Sequence, residues 1–431
     1  MHINQKIMNV EKNEIFFDDK FFNNIQLKTN DYIFYKRKSH NKIEKAFNNC
    51  IYLCKSNLAN YNSEYKKKRN PGVDLVRLIA SYCIVFTHYL LYGKAFNKFN
   101  KYKMQLMTFD YIIGWHNNSF ALISGIIGYK INRYSNLLYL WFTVFFYSVG
   151  IHLYIIKFKK NYIVKTPIAK ELFPIIYQRY WYFTAYFGMY LFLPVINKGI
   201  SVLTKYEFKL MIISIHVIFV IWKDIKNTNN DVFILNGGFS LLWLLIMYLT
   251  GAYIGKYMII YSGLKKYVFC FKCIFIYAFL SFIFIKLNNE KLNLENGYFQ
   301  NEIILFLKKI FTKRFDSLSK INQSIVVCLL FLQMDYNKYI QRIISCLGPL
   351  AFGVYLIHHH QLLISNYLSH IFDKDSNNIN LQSTIIIVIV KPLKIYIFCL
   401  IIDYIRNKCF YIFRIKKACI FLENKLNKIF I

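Results

Sequence analysis

The chain has no internal repeat, no glycine-rich phosphate loop and no long linker. Solenoids, P-loop nucleotide sites and strings of tethered domains are set aside on that ground. It is also short of negative charge. Asp and Glu number 22 against 55 Lys and Arg, a formal net charge of +33 over 431 residues. A soluble protein this basic would point to nucleic acid. Here the cations alternate with long apolar runs, as the flanks and loops of membrane helices do. The chain is 56% hydrophobic and 19% aromatic. The expected partner is therefore a lipid bilayer and not nucleic acid.

Cysteine forms no framework. The 10 cysteines are scattered, and Cys270 and Cys273 make a lone C-x-x-C inside the apolar run YVFCFKCIFIYAFLSFIFI. With no second pair and no nearby histidine, zinc spacing is absent and no metal site is expected. A secretory leader is not evident either: the first 65 residues are polar, with only short apolar patches. The first long apolar run, after residue 70, reads as an internal signal-anchor.

What is present is a series of apolar segments long enough for membrane helices. They lie near 73–92, 109–130, 136–156, 181–196, 208–222, 238–260, 267–285, 317–334, 344–366 and 383–404. The expected fold is all-α, a polytopic transmembrane bundle of about ten spans. Residues 1–70 are expected to form a cytoplasmic polar tail, 71–405 the transmembrane domain, and 406–431 a basic C-terminal tail. KKKR at 66–69 precedes the first span, and Arg406, Lys408, Arg414, Lys416 and Lys417 follow the last. Basic ends and an even span count place both termini in the cytoplasm of a multi-pass cell-membrane protein. Gly251 and Gly255 form a G-x-x-x-G in the sixth segment, read as close helix packing.

The most informative stretch is NPGVDLVRLIASYCIVFTHYLLYG, residues 70–93. Ionisable groups inside a membrane helix are costly and mark function. Arg77 and His88 lie 11 residues apart. At about 100° per residue they return to within roughly 20° of one face, about 16 Å apart along the axis. Asp74 sits one turn before Arg77 on that face. His116, Asn117 and Asn118 interrupt the second segment and are expected to line a polar pocket with the first.

The spacing of Asp74, Arg77 and His88 resembles the signature of the acyltransferase-3 family of integral membrane acyltransferases. Four further stretches match in order. FALISGIIGYK (120–130) is similar to the family's aromatic–Ser–Gly segment, and RYWYFTAYFGMYLFLPVIN (179–197) to its Trp-containing fourth span. NGGFSLLWLLIMYLTGAYIGKY (236–257) resembles the sixth span of the surface polysaccharide-modifying branch, and GPLAFGVYLIH (348–358) a late Tyr-Leu-x-His span. The basic run that follows the family's second span is reduced here to Lys130 and Arg133.

The resemblance implies an O-acyltransferase, with an acyl-CoA such as acetyl-CoA as donor substrate and a surface carbohydrate or its lipid-linked precursor as acceptor. Such a reaction needs a base for the hydroxyl, donors for the oxyanion, and a holder for the anionic donor. His88 is the expected base, since an imidazole can take a proton near neutral pH. Arg77 is the expected holder of coenzyme A phosphate, with snorkelling to lipid phosphate as its alternative. Asp74 is expected to pair with Arg77. His116, Asn117, Ser124, Trp181, Tyr355 and His358 are pocket candidates, and Trp181 serves equally well in an interfacial aromatic belt. Of the tract His358–His360, only His358 carries the motif, and three successive histidines on a helix would point three ways. The alternative function is a transporter of a lipid-linked sugar or acyl group. The acyl group, the sugar and the oligomeric state are left open.

Overall fold

The computed structural model describes residues 70–430 apart from 132, 160–161, 165, 227–230, 290–297 and 374–379. The tail expected over residues 1–70 lies almost wholly outside the described residues. Those described form helices, turns and loops, and no strand occurs among them.

Helix α1, Pro71–Tyr92, begins where the sequence dictates. The Asn70 side chain accepts from Gly72 N at 2.8 Å, capping one orphan N–H. Pro71 at the first position has no N–H to satisfy. The Asn70 amide also donates to Leu332 O at 3.0 Å, tying α1 to a helix late in the chain. A side chain at Gly72 would collide with the Phe331 carbonyl, so the close approach requires glycine.

The expected span 109–130 is two helices, α2 (Lys103–Ile113) and α3 (His116–Gly128). The break falls at Gly114 and Trp115, just ahead of the polar triplet, so His116–Asn118 form the first turn of α3. Next come α4 (Tyr134–Phe158) and α5 (Trp181–Val202), the latter carrying Pro194 inside. Helix α6 (Lys205–His216) starts with a reciprocal cap between Thr204 and Glu207 and runs on as a π-turn over Val217–Trp222.

Helix α7 (Leu241–Tyr257) packs most extensively on α3. Side chains at Gly251 and Gly255 would run into the carbonyls of Leu122 and Ile126, and one at Gly125 into that of Tyr248. The small-residue motif is the contact surface of this pair.

The remaining longer helices are α8 (Gly263–Asn289), α9 (Tyr298–Ile310), α10 (Leu318–Gln333), α11 (Lys338–Leu347), α12 (Ala351–His358), α13 (Leu381–Ile412) and α14 (Ile415–Phe430). Helices α11 and α12 join through a turn at Gly348–Leu350 and act as one segment, Lys338–His358. The expected span 344–366 therefore sits earlier in the chain. It stops because His359 leaves helical geometry and His360 turns to cap the short helix Gln361–Asn366.

By length and composition, five described helices can cross a membrane: Pro71–Tyr92, Tyr134–Phe158, Gly263–Leu287, Lys338–His358 and Gln382–Ile412. Leu241–Tyr257 and Leu318–Gln333 are apolar but shorter. Helices α1, α3, α7 and α10 enclose a core that includes Val76, Ala80, Leu122, Trp243, Met247 and Cys328. Outward faces are apolar as well: Phe271, Phe282 and Phe398 are exposed. An apolar exterior around buried polar side chains such as Asp74, Lys320, Gln323 and Asp403 suits a lipid solvent. The chain is an integral membrane protein.

Candidate active site

Helix α1 brings His88 against the C-terminal end of α12. His88 Nδ1 lies 3.0 Å from His358 Nε2, and His358 Nδ1 lies 2.6 Å from Val354 O. These two contacts fix the protons of the neutral pair. A carbonyl only accepts, so His358 Nδ1 carries the hydrogen and His358 Nε2 is bare. His88 must then donate from Nδ1, and its Nε2 is left with a lone pair. No hydrogen bond engages that nitrogen among the described residues. A carbonyl–imidazole–imidazole chain thus presents one basic nitrogen.

His359 also reaches this site, which the sequence reading did not expect. Because α12 ends at His358, the next ring is not carried round the helix. The His359 ring centroid is 4.6 Å from that of His88, and its Nε2 is 3.0 Å from Tyr92 Oη. Tyr355, one turn back on α12, is buried and stacks on His359 at 5.2 Å. His360 points elsewhere: its Nδ1 accepts from Leu362 N, and its Nε2 lies 3.2 Å from Ser148 O.

Asp74 and Arg77 pair at 3.0 Å, as the one-turn spacing predicts. Asp74 is fully buried with Gly348 against its Cβ, while the Arg77 side chain keeps 22% of its surface. Tyr186 of α5 lies beside Ser124. The Ser124 hydroxyl donates back to Phe120 O at 2.8 Å.

His116 is brought near but not into the histidine cluster. It is buried, with Nε2 3.3 Å from Thr87 Oγ1 and Nδ1 3.2 Å from Asn117 Oδ1. Thr87 donates to Asp110 at 3.1 Å, and Asp110 pairs with Lys313 at 2.8 Å. Thr87 precedes His88 in sequence, so the two side chains leave α1 about 100° apart. Trp181 packs on Phe239 at 4.6 Å; Phe239 meets Phe315 at 5.3 Å, and Phe315 meets His116 at 5.7 Å. One aromatic wall therefore joins Trp181 to His116.

Three further features were not foreseen. Tyr129, Lys130, Asn197, Lys198 and Lys256 line a cleft of about 440 Å³. His116 meets Thr87 near the end of α1, whereas at the other end of α3 Ile126 packs on Gly255, and just past α7 Ile259 O accepts from Gln333, next to Leu332, whose carbonyl takes the Asn70 amide at the start of α1, so α1 and α3 run oppositely. The cleft beside Gly128 thus opens at the Arg77 end of the bundle. On the face of α1 away from His88, Tyr82, Cys83, Phe86, Leu106 and Val388 line an apolar groove of about 210 Å³. The third is Glu171, fully buried in the loop after α4. It accepts from Ser148 at 2.6 Å, pairs with Arg179, and lies 3.8 and 3.7 Å from His152 and His360. Its signal was a lone acid among the cations of residues 157–179.

Comparisons with curated proteins and with solved structures give no match. A family model described as an acyltransferase domain matches residues 70–403, which takes in Asp74, Arg77, His88 and the whole histidine cluster. The chain belongs to the acyltransferase-3 family.

Proposed function

We propose that the protein is an O-acetyltransferase that moves an acetyl group from acetyl-CoA to a hydroxyl of a surface glycan or its lipid-linked precursor, in the cell membrane with both termini cytoplasmic. The observation that carries this reading is the lone pair left on His88 Nε2 by the chain Val354–His358–His88. A neutral imidazole held in one tautomer is a competent general base.

On this reading the Arg77 end is the cytoplasmic mouth. The lysine cleft and Arg77 offer cations to the phosphates of the donor. The thioester then reaches His88, about 16 Å further along α1 at 1.5 Å per residue. The acceptor approaches along the wall of Trp181, Phe239, Phe315 and His116, with Asn117 at its edge. Aromatic faces of this kind suit sugar rings. His88 Nε2 takes the hydroxyl proton as the oxygen adds to the carbonyl carbon. Collapse expels the coenzyme A thiolate, and the imidazolium returns the proton to sulfur.

The test is purified protein in detergent with radiolabelled acetyl-CoA and a panel of glycans. The expected product is an alkali-labile acetyl ester on the glycan. Monodisperse protein that neither binds acetyl-CoA nor acetylates any hydroxyl would overturn the reading.

A further inference from the structure

The site leaves two buried polar groups without partners. The Tyr355 hydroxyl finds no acceptor for its proton among the described residues, on a residue only 7% exposed. His359 Nδ1 is likewise buried and unpartnered. Their neighbours are satisfied: His358 uses both ring nitrogens, Tyr180 donates to Leu356 O at 3.1 Å, and Tyr92 meets His359 Nε2. Orphaned buried polar groups are rare and destabilising, and retained ones call for a use.

Both groups can donate. Tyr92 Oη and His359 Nε2 lie 3.0 Å apart, and where the phenol gives its proton to Nε2 the neutral His359 ring carries its hydrogen on Nδ1. In that tautomer Nδ1–H and the Tyr355 O–H both lack an acceptor among the described residues. Their rings stack at 5.2 Å, and His359 lies 4.6 Å from His88. The Tyr182 hydroxyl is also unpartnered, but its ring contacts Tyr355 at 6.5 Å and none of the histidines.

We propose that the Tyr355 hydroxyl and His359 Nδ1–H are the oxyanion-binding donors of the acyl transfer at His88. This rests on the thioester-donor reading above. As the hydroxyl oxygen bonds to the carbonyl carbon, the π pair of the C=O moves onto oxygen. That oxygen takes up the two idle donors. When the pair returns, the C–S bond breaks, the thiolate leaves and the proton on His88 follows it. Donors with no other acceptor need no reorganisation at the moment charge develops.

The experiment uses the full chain in detergent and two coenzyme A thioether ketones. Acetonyl-CoA stays planar, whereas its trifluoromethyl analogue adds water or a hydroxyl and becomes tetrahedral. Calorimetry should show wild type preferring the trifluoromethyl ketone by about 10²-fold or more, the gap typical of a tetrahedral analogue. Tyr355→Phe should lower kcat by about 10²–10³, the usual effect of one oxyanion donor. It should also shrink the preference for the tetrahedral ketone while leaving acetonyl-CoA affinity unchanged. His359→Asn, which keeps an N–H near the same place, should retain more of the preference than His359→Phe. Full preference and full kcat in both Phe variants would overturn the proposal. Equal loss of both ketones would make these residues structural and also overturn it. If wild type binds neither ketone, the thioester-donor reading fails first.

Discussion

The sharpest consequence of the geometry concerns His358, which touches His88 and not the reacting atoms. Its Nε2 accepts from His88 Nδ1 at 3.0 Å, and only that acceptance keeps the His88 lone pair on Nε2. Replacing His358 by Phe leaves a buried N–H without a partner, at about 1–3 kcal/mol. The ring can escape that penalty by moving its proton to Nε2, which then has no basic pair to offer. At about 1.4 kcal/mol per tenfold in rate, kcat should fall about 5- to 150-fold. The KM for acetyl-CoA should stay within about twofold, because binding energy common to ground and transition states is untouched. His358→Gln sets an amide oxygen near the old Nε2 and should recover most of the loss. His88→Gln should lose more, about 10²–10⁴, since the proposed base itself is gone. The assay is single-turnover transfer from radiolabelled acetyl-CoA at matched protein. An unimpaired His358→Phe, or a Gln variant no better than Phe, would refute the tautomer argument.

Arg77→Lys should weaken coenzyme A binding, because lysine lacks the planar fork that grips phosphate; calorimetry showing equal affinity in wild type and Arg77→Ala would dismiss that role. Asp224 lies in the segment after α6, where burial pushes its carboxyl up to about 6 despite Lys223 nearby and with Asp316 raising it further. The folded state then holds an extra proton between the ordinary carboxylate range and pH 6, so stability should fall as pH rises through that window and level off above it. Thermal unfolding of Asp224→Asn should lose this slope, and an unchanged slope would assign it elsewhere. Glu171→Leu leaves Arg179 without its carboxylate, and breaking a buried pair costs about 3–5 kcal/mol, so thermal stability should drop sharply. An unfolding midpoint within a degree of wild type would contradict that account.

Helix type and the principal pair were legible because they rest on local rules. Asn70, Pro71 and Asp74 announce the start of α1, and the one-turn spacing delivers the Asp74–Arg77 bond. The G-x-x-x-G at Gly251 fixes a packing face for the same reason. What the sequence withheld was set by tertiary contact. Nothing local says that α12 ends at His358, yet that stop decides that His359 meets His88 and His360 does not. The break before His116 was likewise read two residues late. Asn118, one of the three residues expected to interrupt the segment, sits in the helix while it accepts from the Trp243 indole at 2.9 Å and donates to Phe315 O at 2.8 Å. A polar residue satisfied by distant partners need not end a helix.

The arrangement also explains why the polar groups of this bundle lie where they do. A side chain that only stabilised the fold would find its partner and stop there, as Lys320 does with Tyr111 O and Gln323. The column from the lysine cleft to α12 behaves differently. Arg77, paired with Asp74, keeps part of its surface accessible; further along, the Tyr182 and Tyr355 hydroxyls lack an acceptor among the described residues, and His88 ends the run with a lone pair. In an apolar solvent each such hydroxyl and lone pair carries a desolvation cost. Spacing a cation and a basic nitrogen about 16 Å apart on one helix face suits a long ligand with its anions at one end and its electrophile at the other. The aromatic wall from Trp181 to His116 meets α1 at Thr87, beside His88 and far from Arg77. Two reactants approaching from opposite ends would meet at His88, so the geometry favours group transfer between them over passage of a single cargo.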